Sequence, residues 1–548
     1  MEAQSELGGS FYRAYLRTGF YRWRISGKPP ETLQATIMDA WKGAPDVGQL
    51  LLEGRYRSGG KIVEIGENPW TNQSVDDDTT YDLYRFDWLR DLRDLGGDAA
   101  RRRARDLIDS WLEMFDRWDP MAWDLPVLGA RLNALSVCQG FAIESANDAF
   151  RTRVLSSMIA QRNHLLRQIK KVPDTLSGLS AIQGAISSGV ALGLSIESMA
   201  AVLGRLDMLL ESQILEDGCH RSRAPDMQAE LLARLIDIRA AMRAAGNGES
   251  PRIDEFVQRT TPVLRMFRHG DGGLALFNGS NMVENWLLDT LLARSEVPSK
   301  TAPSAPEGGF HRLTAGRTVA ILDTGVPNNR DGRAHASTLA CEISVGKERL
   351  IVNCGAALSD PRWTDVMRAS AAHSTLVIDD TNSCEILTDG AIGRGPQKVT
   401  LERWEADGAS WIEAEHDGYL ASYGLLHSRR LHLAAGGDDI RGEDVLTYTG
   451  APGKQPRMAA IRFHLHPSLS ASMAQNGMSV LVRTPSKGGW RFRFSGGVLA
   501  LNDSVYFGED GRLQKSMQIV VNMPLDHIRT HGKIASKWAL RREDSKAG

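Results

Sequence analysis

Two histidines, His335 and His373, stand at the ends of a stretch in which apolar residues alternate, Leu339, Cys341 and Ile343 and then Leu350 and Val352. Alternation of this period around a turn at Gly346 and Lys347 predicts a half-buried hairpin, with both histidines at strand edges. An imidazole exchanges protons near neutral pH and also ligates zinc, so a suitable strand register lets the pair share a ligand or a metal ion. Arg333 adds a guanidinium, which cannot act as a base near neutral pH but can hold a carboxylate in a bidentate grip. Asn353, on the second strand, offers a neutral amide. A regular strand turns its neighbour Cys354 to the opposite face.

The runs Arg333 to Ser344, Leu350 to Gly355 and Ala371 to Leu376 resemble, in order and spacing, the C-terminal signature of the heparinase II/III-like polysaccharide lyases. Further matches extend the resemblance over nearly the whole chain: Phe86 to Leu89, Trp123 with Arg131 to Asn133, Asn163 to Leu165, Asp217 to His220, Ala414 to Tyr419, Gly442 to Asp444 and Phe463 to Pro467. The resemblance implies an incomplete (α/α) toroid followed by an antiparallel β-sandwich, with a site in the cleft between them. It also implies a carbon-oxygen lyase that cleaves a uronic-acid glycan by β-elimination. Such chemistry needs a clamp for the carboxylate, a base for the proton beside it and an acid for the leaving oxygen.

Carried over by the resemblance, Asn163 faces the uronate and His164 lies beside it, while His220 and Arg223 follow as polar candidates on the next block. Arg131, Asn278 and Tyr419 are placed as substrate contacts, and His335, Asn353 and His373 as a possible zinc set. Three departures stand out. Met227 and Gln228 occupy positions where active lyases carry a Tyr-His proton-transfer pair, and Arg333 replaces a catalytic histidine. Asn353 replaces an aspartate. Two readings therefore stay open, a lyase of anionic polysaccharides or oligosaccharides and a non-catalytic glycan-binding relative. The metal candidates likewise read either as a zinc site or as a hydrogen-bonded cluster tying strands together.

With 548 residues, 42% of them hydrophobic and 24% charged, the chain is long enough for two or three domains. A net charge of −2 argues against a nucleic-acid partner. Five cysteines without a close-spaced pair read as buried free thiols. Neither a signal peptide nor a membrane span is expected, which points to the cytoplasm, whereas the resemblance implies the cell envelope or periplasm. Oligomeric state is not legible.

Helical spacing dominates from about Thr79 to Arg294, for example Leu194, Met199, Val202, Leu206, Leu209 and Leu210, with breaks at Gly96, Pro120, Pro173 and Gly246 that cut it into helix hairpins. Residues 1–30 mix aromatic residues with arginines and predict an amphipathic helix, docked on the body or lying at a membrane surface. Three prolines between Pro298 and Gly309 predict an unpacked linker. After Phe310 short strands follow one another. The expected organisation is a multidomain α+β chain: a helical domain over 1–297, a linker over 298–309 and a sandwich over 310–540.

Overall fold

The computed structural model describes residues 11–247, 250–327, 332–357, 360–388, 390–509 and 511–543. The chain forms two compact units, one of Met1–Gln213 with Ala233–Val257 and the other of Ile214–Leu232 with Gln258–Gly548.

The first unit is built of helices, with one short hairpin of Arg55–Ser58 against Lys61–Glu64 that helical periodicity did not anticipate. Side-chain caps start its helices where the sequence supplies them: Asn147 accepts from the Phe150 amide and Thr175 from the Gly178 amide. The helices Leu125–Val137 and Leu176–Ala191 touch backbone to backbone. A Cβ on Gly129 would lie 2.3 Å from the Ala181 Cα, and one on Gly184 would lie 2.1 Å from the Gly129 carbonyl oxygen. Both faces of these helices are buried, which explains why their apolar residues show little one-sided pattern. The helix Gly19–Ile25 docks by Tyr21 and Ile25, as expected of an amphipathic segment, and leaves Phe20 and Trp23 exposed. No helix among the described residues is long and apolar enough to cross a membrane.

The second unit is an antiparallel sandwich. One sheet has eight strands in the order Ser470–Ala474, Ser479–Arg483, Gly489–Ser495, Lys533–Glu543, Asp439–Tyr448, Leu425–Leu433, Ala409–His416 and Val399–Ala406. The other runs Val498–Tyr506, Gln514–Pro524, Met458–Leu465, Glu348–Val352, Cys341–Val345, Thr318–Asp323, Phe310–Ala315 and Ser304–Ala305, with Leu376–Ile378 added beside Met458–Leu465. Alternate residues of both sheets meet in one core, where Phe463 packs edge-on against Trp538 at 4.7 Å. The hairpin read from the sequence is present, its strands joined through Gly346 and Lys347.

The stretch 298–309 is not an unpacked linker but part of this second unit. Ser304–Ala305 pairs with Phe310–His311, Ala305 is fully buried, and the Gly308 amide donates to Asp217 at 2.8 Å. Proline has no amide to donate but keeps its carbonyl, and arginines satisfy two of those carbonyls: Arg265 donates to the Pro298 oxygen and Arg403 to the Pro303 oxygen. The boundaries expected at 297 and 310 accordingly fall inside the second unit. Gly309 closes this stretch at φ +70, and a Cβ there would lie 2.3 Å from the Gly325 Cα. Gly309→Ala is expected to cost about 2 kcal/mol or more, because strain and a backbone clash combine. Gly450→Ala, at φ +81 with open space around it, is expected to cost about 1 kcal/mol; chemical denaturation of the two variants measures the difference.

Candidate functional site

Within the second unit, three chain segments converge: the turn before the helix Pro225–Met242, the loop around Asn278 and the loop entering the strand Cys341–Val345. Proline at the first helical position sets the start of that helix, and the reversal before it is closed by the Leu215 amide donating to the Cys219 carbonyl at 2.9 Å. His220 is buried in this turn. Its Nδ1 accepts from the Ser222 amide at 3.1 Å, so in the neutral ring the proton sits on Nε2, which has no hydrogen-bond partner among the described residues. Gln228 holds the turn by accepting from the His220 amide at 2.6 Å and donating to the Gly218 and Thr260 carbonyls.

The histidine pair is in contact, with His335 Nδ1 lying 3.0 Å from His373 Nε2. His373 Nδ1 faces the Ala369 carbonyl at 2.8 Å, and a carbonyl only accepts, so that nitrogen carries the proton. His373 Nε2 must then accept from His335 Nδ1, which leaves a lone pair on His335 Nε2. That nitrogen and Arg333 Nε lie 3.3 and 3.6 Å from the place a Cβ on Gly279 would take, so glycine keeps the space between them open. Asn278, at φ +49, spans the same corner by donating to the Arg223 carbonyl at 3.1 Å and accepting from the His335 amide at 3.4 Å.

Burial sets the electrostatics. It pushes His220 down to about 3, helped by Arg221 and Arg333, and His373 down to about 4. His335 is held well below the ordinary imidazole value by burial and then by His373 and the arginines around it. Each is therefore neutral at pH 7. Arg333 is matched at its terminal nitrogens but not at Nε: Nη2 donates to Asp226 at 2.7 Å and to the Gly279 carbonyl at 2.5 Å, and Nη1 approaches Met227 Sδ at 3.1 Å.

Several residues expected at a substrate surface are enclosed instead. Arg223 donates to the Gly308 and Val326 carbonyls and pairs with the buried Asp323. Tyr419 is fully buried, its hydroxyl donating to the Leu376 carbonyl at 2.8 Å. In the first unit Arg131 is fully buried, donating to Gln161, the Tyr84 carbonyl and the Ala122 carbonyl. There too Asn163 donates to the Ile25 carbonyl at 2.9 Å and His164 Nδ1 meets the Tyr21 hydroxyl at 2.7 Å, so both hold the helix Gly19–Ile25.

Zinc does not fit the expected set. The facing nitrogens of His335 and His373 are used on each other, while Asn353 accepts from the Ser374 amide at 3.0 Å and donates to Glu342 at 3.2 Å. Among the described residues no group of three His, Cys, Asp or Glu side chains converges as a metal would require. Glu342 itself was missed. It alternates with Cys341 and Ile343, so it faces away from the sandwich core, where it meets His269 at 3.0 Å and the Leu276 amide. A second buried chain links Asp444, His427 and His416 at 2.9 and 3.1 Å.

Residues 297–539 match the model of the heparinase II/III-like C-terminal domain. A protein described as FtsZ-localized protein C, from Caulobacter vibrioides (strain NA1000 / CB15N), is 30% identical over 99% of this chain and 96% of its own length. The chain belongs to the heparinase II/III-like family. A crystal structure of heparinase III matches 99% of this chain and 91% of its own with a TM-score of 0.71 at 13% identity. Heparan sulfate lyase HepC from Pedobacter heparinus matches 96% and 88% with a TM-score of 0.66 at 14% identity. Those identities speak for fold alone, and the fold is the (α/α) toroid of helix hairpins followed by the antiparallel sandwich. Within the heparinase II/III-like frame, Gln228 is buried on backbone groups, while Arg333 pairs with Asp226, touches Met227 and keeps 27% of its side chain exposed.

The depressed histidines carry a stability signature. Above about pH 6.5 they are neutral folded and unfolded alike, so they contribute nothing; as pH falls below that value the unfolded chain takes up protons that the folded chain refuses. Stability is expected to drop between pH 6.5 and 4 by roughly 1 kcal/mol per pH unit for each such histidine. His373→Gln is expected to flatten that slope. Denaturation midpoints across the range, compared between the two proteins, check it.

Proposed function

We propose that this chain is a glycan-binding heparinase II/III-like protein that has given up β-elimination and works together with FtsZ. The observation that carries the loss of β-elimination is the state of Arg333: the group standing where the family places a catalytic histidine is a cation paired with Asp226, while glycan binding follows the family. Beside it Gln228 is spent on backbone groups, and the Asn163 and His164 side chains hold the chain's own helix. A base must also have a pKa near the working pH to abstract a proton efficiently, and burial has moved the three histidines away from it. The second half follows the full-length relative, whose name places it with FtsZ.

A lyase of uronic-acid polysaccharides or oligosaccharides is the second reading, favoured by one feature, the lone pair of His335 Nε2 facing the space beside Gly279. The two readings separate in one experiment. Purified protein incubated with a panel of uronate polymers is expected to give no rise in the ultraviolet absorbance of an unsaturated product. Turnover that His335→Ala abolishes would establish the lyase and overturn the first reading. For the cellular half, a fluorescent fusion is expected to follow FtsZ and to disperse when FtsZ is depleted; an unchanged distribution would remove FtsZ from the proposal.

A further inference from the structure

The eight-stranded sheet has an outer face turned away from the sandwich core. Register sets one row of side chains directly across it: Trp404 opposite Trp411, Trp411 opposite His432, His432 opposite Arg441, Arg441 opposite Ala539, and Ala539 opposite Arg493. Side chains facing one another on an antiparallel pair are within contact, so this row forms a continuous strip. At one end the two indoles are parallel, 5° apart in plane with centroids 6.1 Å apart, and His432 lies 4.6 Å from Trp411. At the other end Ala539, the smallest member, lets the floor drop between Arg441 and Arg493. A cavity of about 680 Å³ opens over this strip from Trp411 to Arg493, with Trp404 beside it.

Cations outnumber acids here. Arg430, Arg441, Arg493, Lys537 and Arg541 line the cavity with the carboxylate of Glu443. Most of them are paired: Glu443 meets Arg430 and Lys537, Glu413 meets Arg430, and Asp439 meets both Arg441 and Arg541. Arg493 has no ion pair among the described residues. Long cations remain half-exposed around it, with Lys537 at 68% and Arg541 at 48% of full side-chain exposure.

An aromatic shelf that continues into a cluster of arginines has the two chemistries that recognise an acidic sugar chain: flat π-faces for the C–H side of a pyranose ring, and guanidinium forks for its carboxylates. We propose that this outer face is a second binding site, for a uronic-acid oligosaccharide, separate from the His335 and Arg333 region. A chain lying along the strip stacks one ring near Trp411 and directs acidic groups of the following rings to Arg441 and Arg493. Charge alone would accept any polyanion; the stacked pair makes the site selective for sugars.

Calorimetric titration of the full chain with a short oligogalacturonate tests it, with polyglutamate of similar charge and a neutral cello-oligosaccharide alongside. Oligogalacturonate is expected to bind, with affinity falling as salt rises, and Trp411→Ala and Arg493→Glu are each expected to weaken it about tenfold. Trp404→Ala, at a more exposed position, provides a second aromatic variant that keeps the sandwich core intact. Arg333→Ala removes any contribution of the His335 and Arg333 region, and the binding that remains in that variant is expected to keep its dependence on Trp411 and Arg493, so failure here and failure of the proposed function are told apart. Equal binding of polyglutamate, loss of binding on Arg333→Ala alone, no effect of either tryptophan variant, or no binding at all would each overturn the proposal.

Discussion

The buried ion pair between Arg223 and Asp323 is the contact on which the rest of the histidine region depends. Asp323 ends the strand Thr318–Asp323 and is wholly enclosed, and Arg223 comes from the turn that carries His220. Two charges this far from water are tolerable only when every lone pair and donor is matched. Here the match recruits the surroundings: the Gly325 amide and the Ser337 hydroxyl donate to Asp323 at 3.0 and 2.8 Å, and Arg223 also holds the Gly308 carbonyl and lies over the Phe310 ring. Through Ser337 the same carboxylate fixes the loop that presents His335. The segment around His220, the stretch 298–309 and the His335 loop are thus held by one electrostatic knot.

Beside that knot the polar residues of the signature also bond inward. In a lyase the cationic and acid-base groups must meet the substrate first and one another second. In this chain Arg333 meets Asp226, Gln228 meets the backbone around His220, and His335 meets His373. Each polar group has found an internal partner, which is what burial demands of it. The exceptions are few, His220 Nε2 and Arg333 Nε among them. In this fold these interior polar groups hold loops in place.

The outer face of the eight-stranded sheet follows a different rule. Facing solvent, its arginines need no full set of partners, because water supplies the rest. Trp404 and Trp411 are the anomaly there, since large aromatic residues on a solvated strand face add nothing to the core. Their pairing in register with His432, Arg441 and Arg493 is what gives the face a direction, aromatic at one end and cationic at the other.

Much of the architecture was legible in the chain itself. Period-two alternation between Leu339 and Val352 located the hairpin, three- and four-residue spacing located the helices, and the ordered signature from Arg333 to Leu376 located the family, because each depends on local geometry that neighbouring residues dictate. The stretch 298–309 reads as a linker because prolines cannot donate to a ladder, whereas its pairing with Phe310–His311 and the arginines that reach its carbonyls are tertiary matters. So is every question about the site. Sequence placed His335, His373 and Asn353 in one neighbourhood, yet which nitrogen carries a proton, that Asn353 turns to Glu342, and that Arg131, Arg223 and Tyr419 are enclosed were decided by which groups the packed chain brings against them. Residue type states what a side chain is able to bond; only the packed chain determines which partner reaches it first.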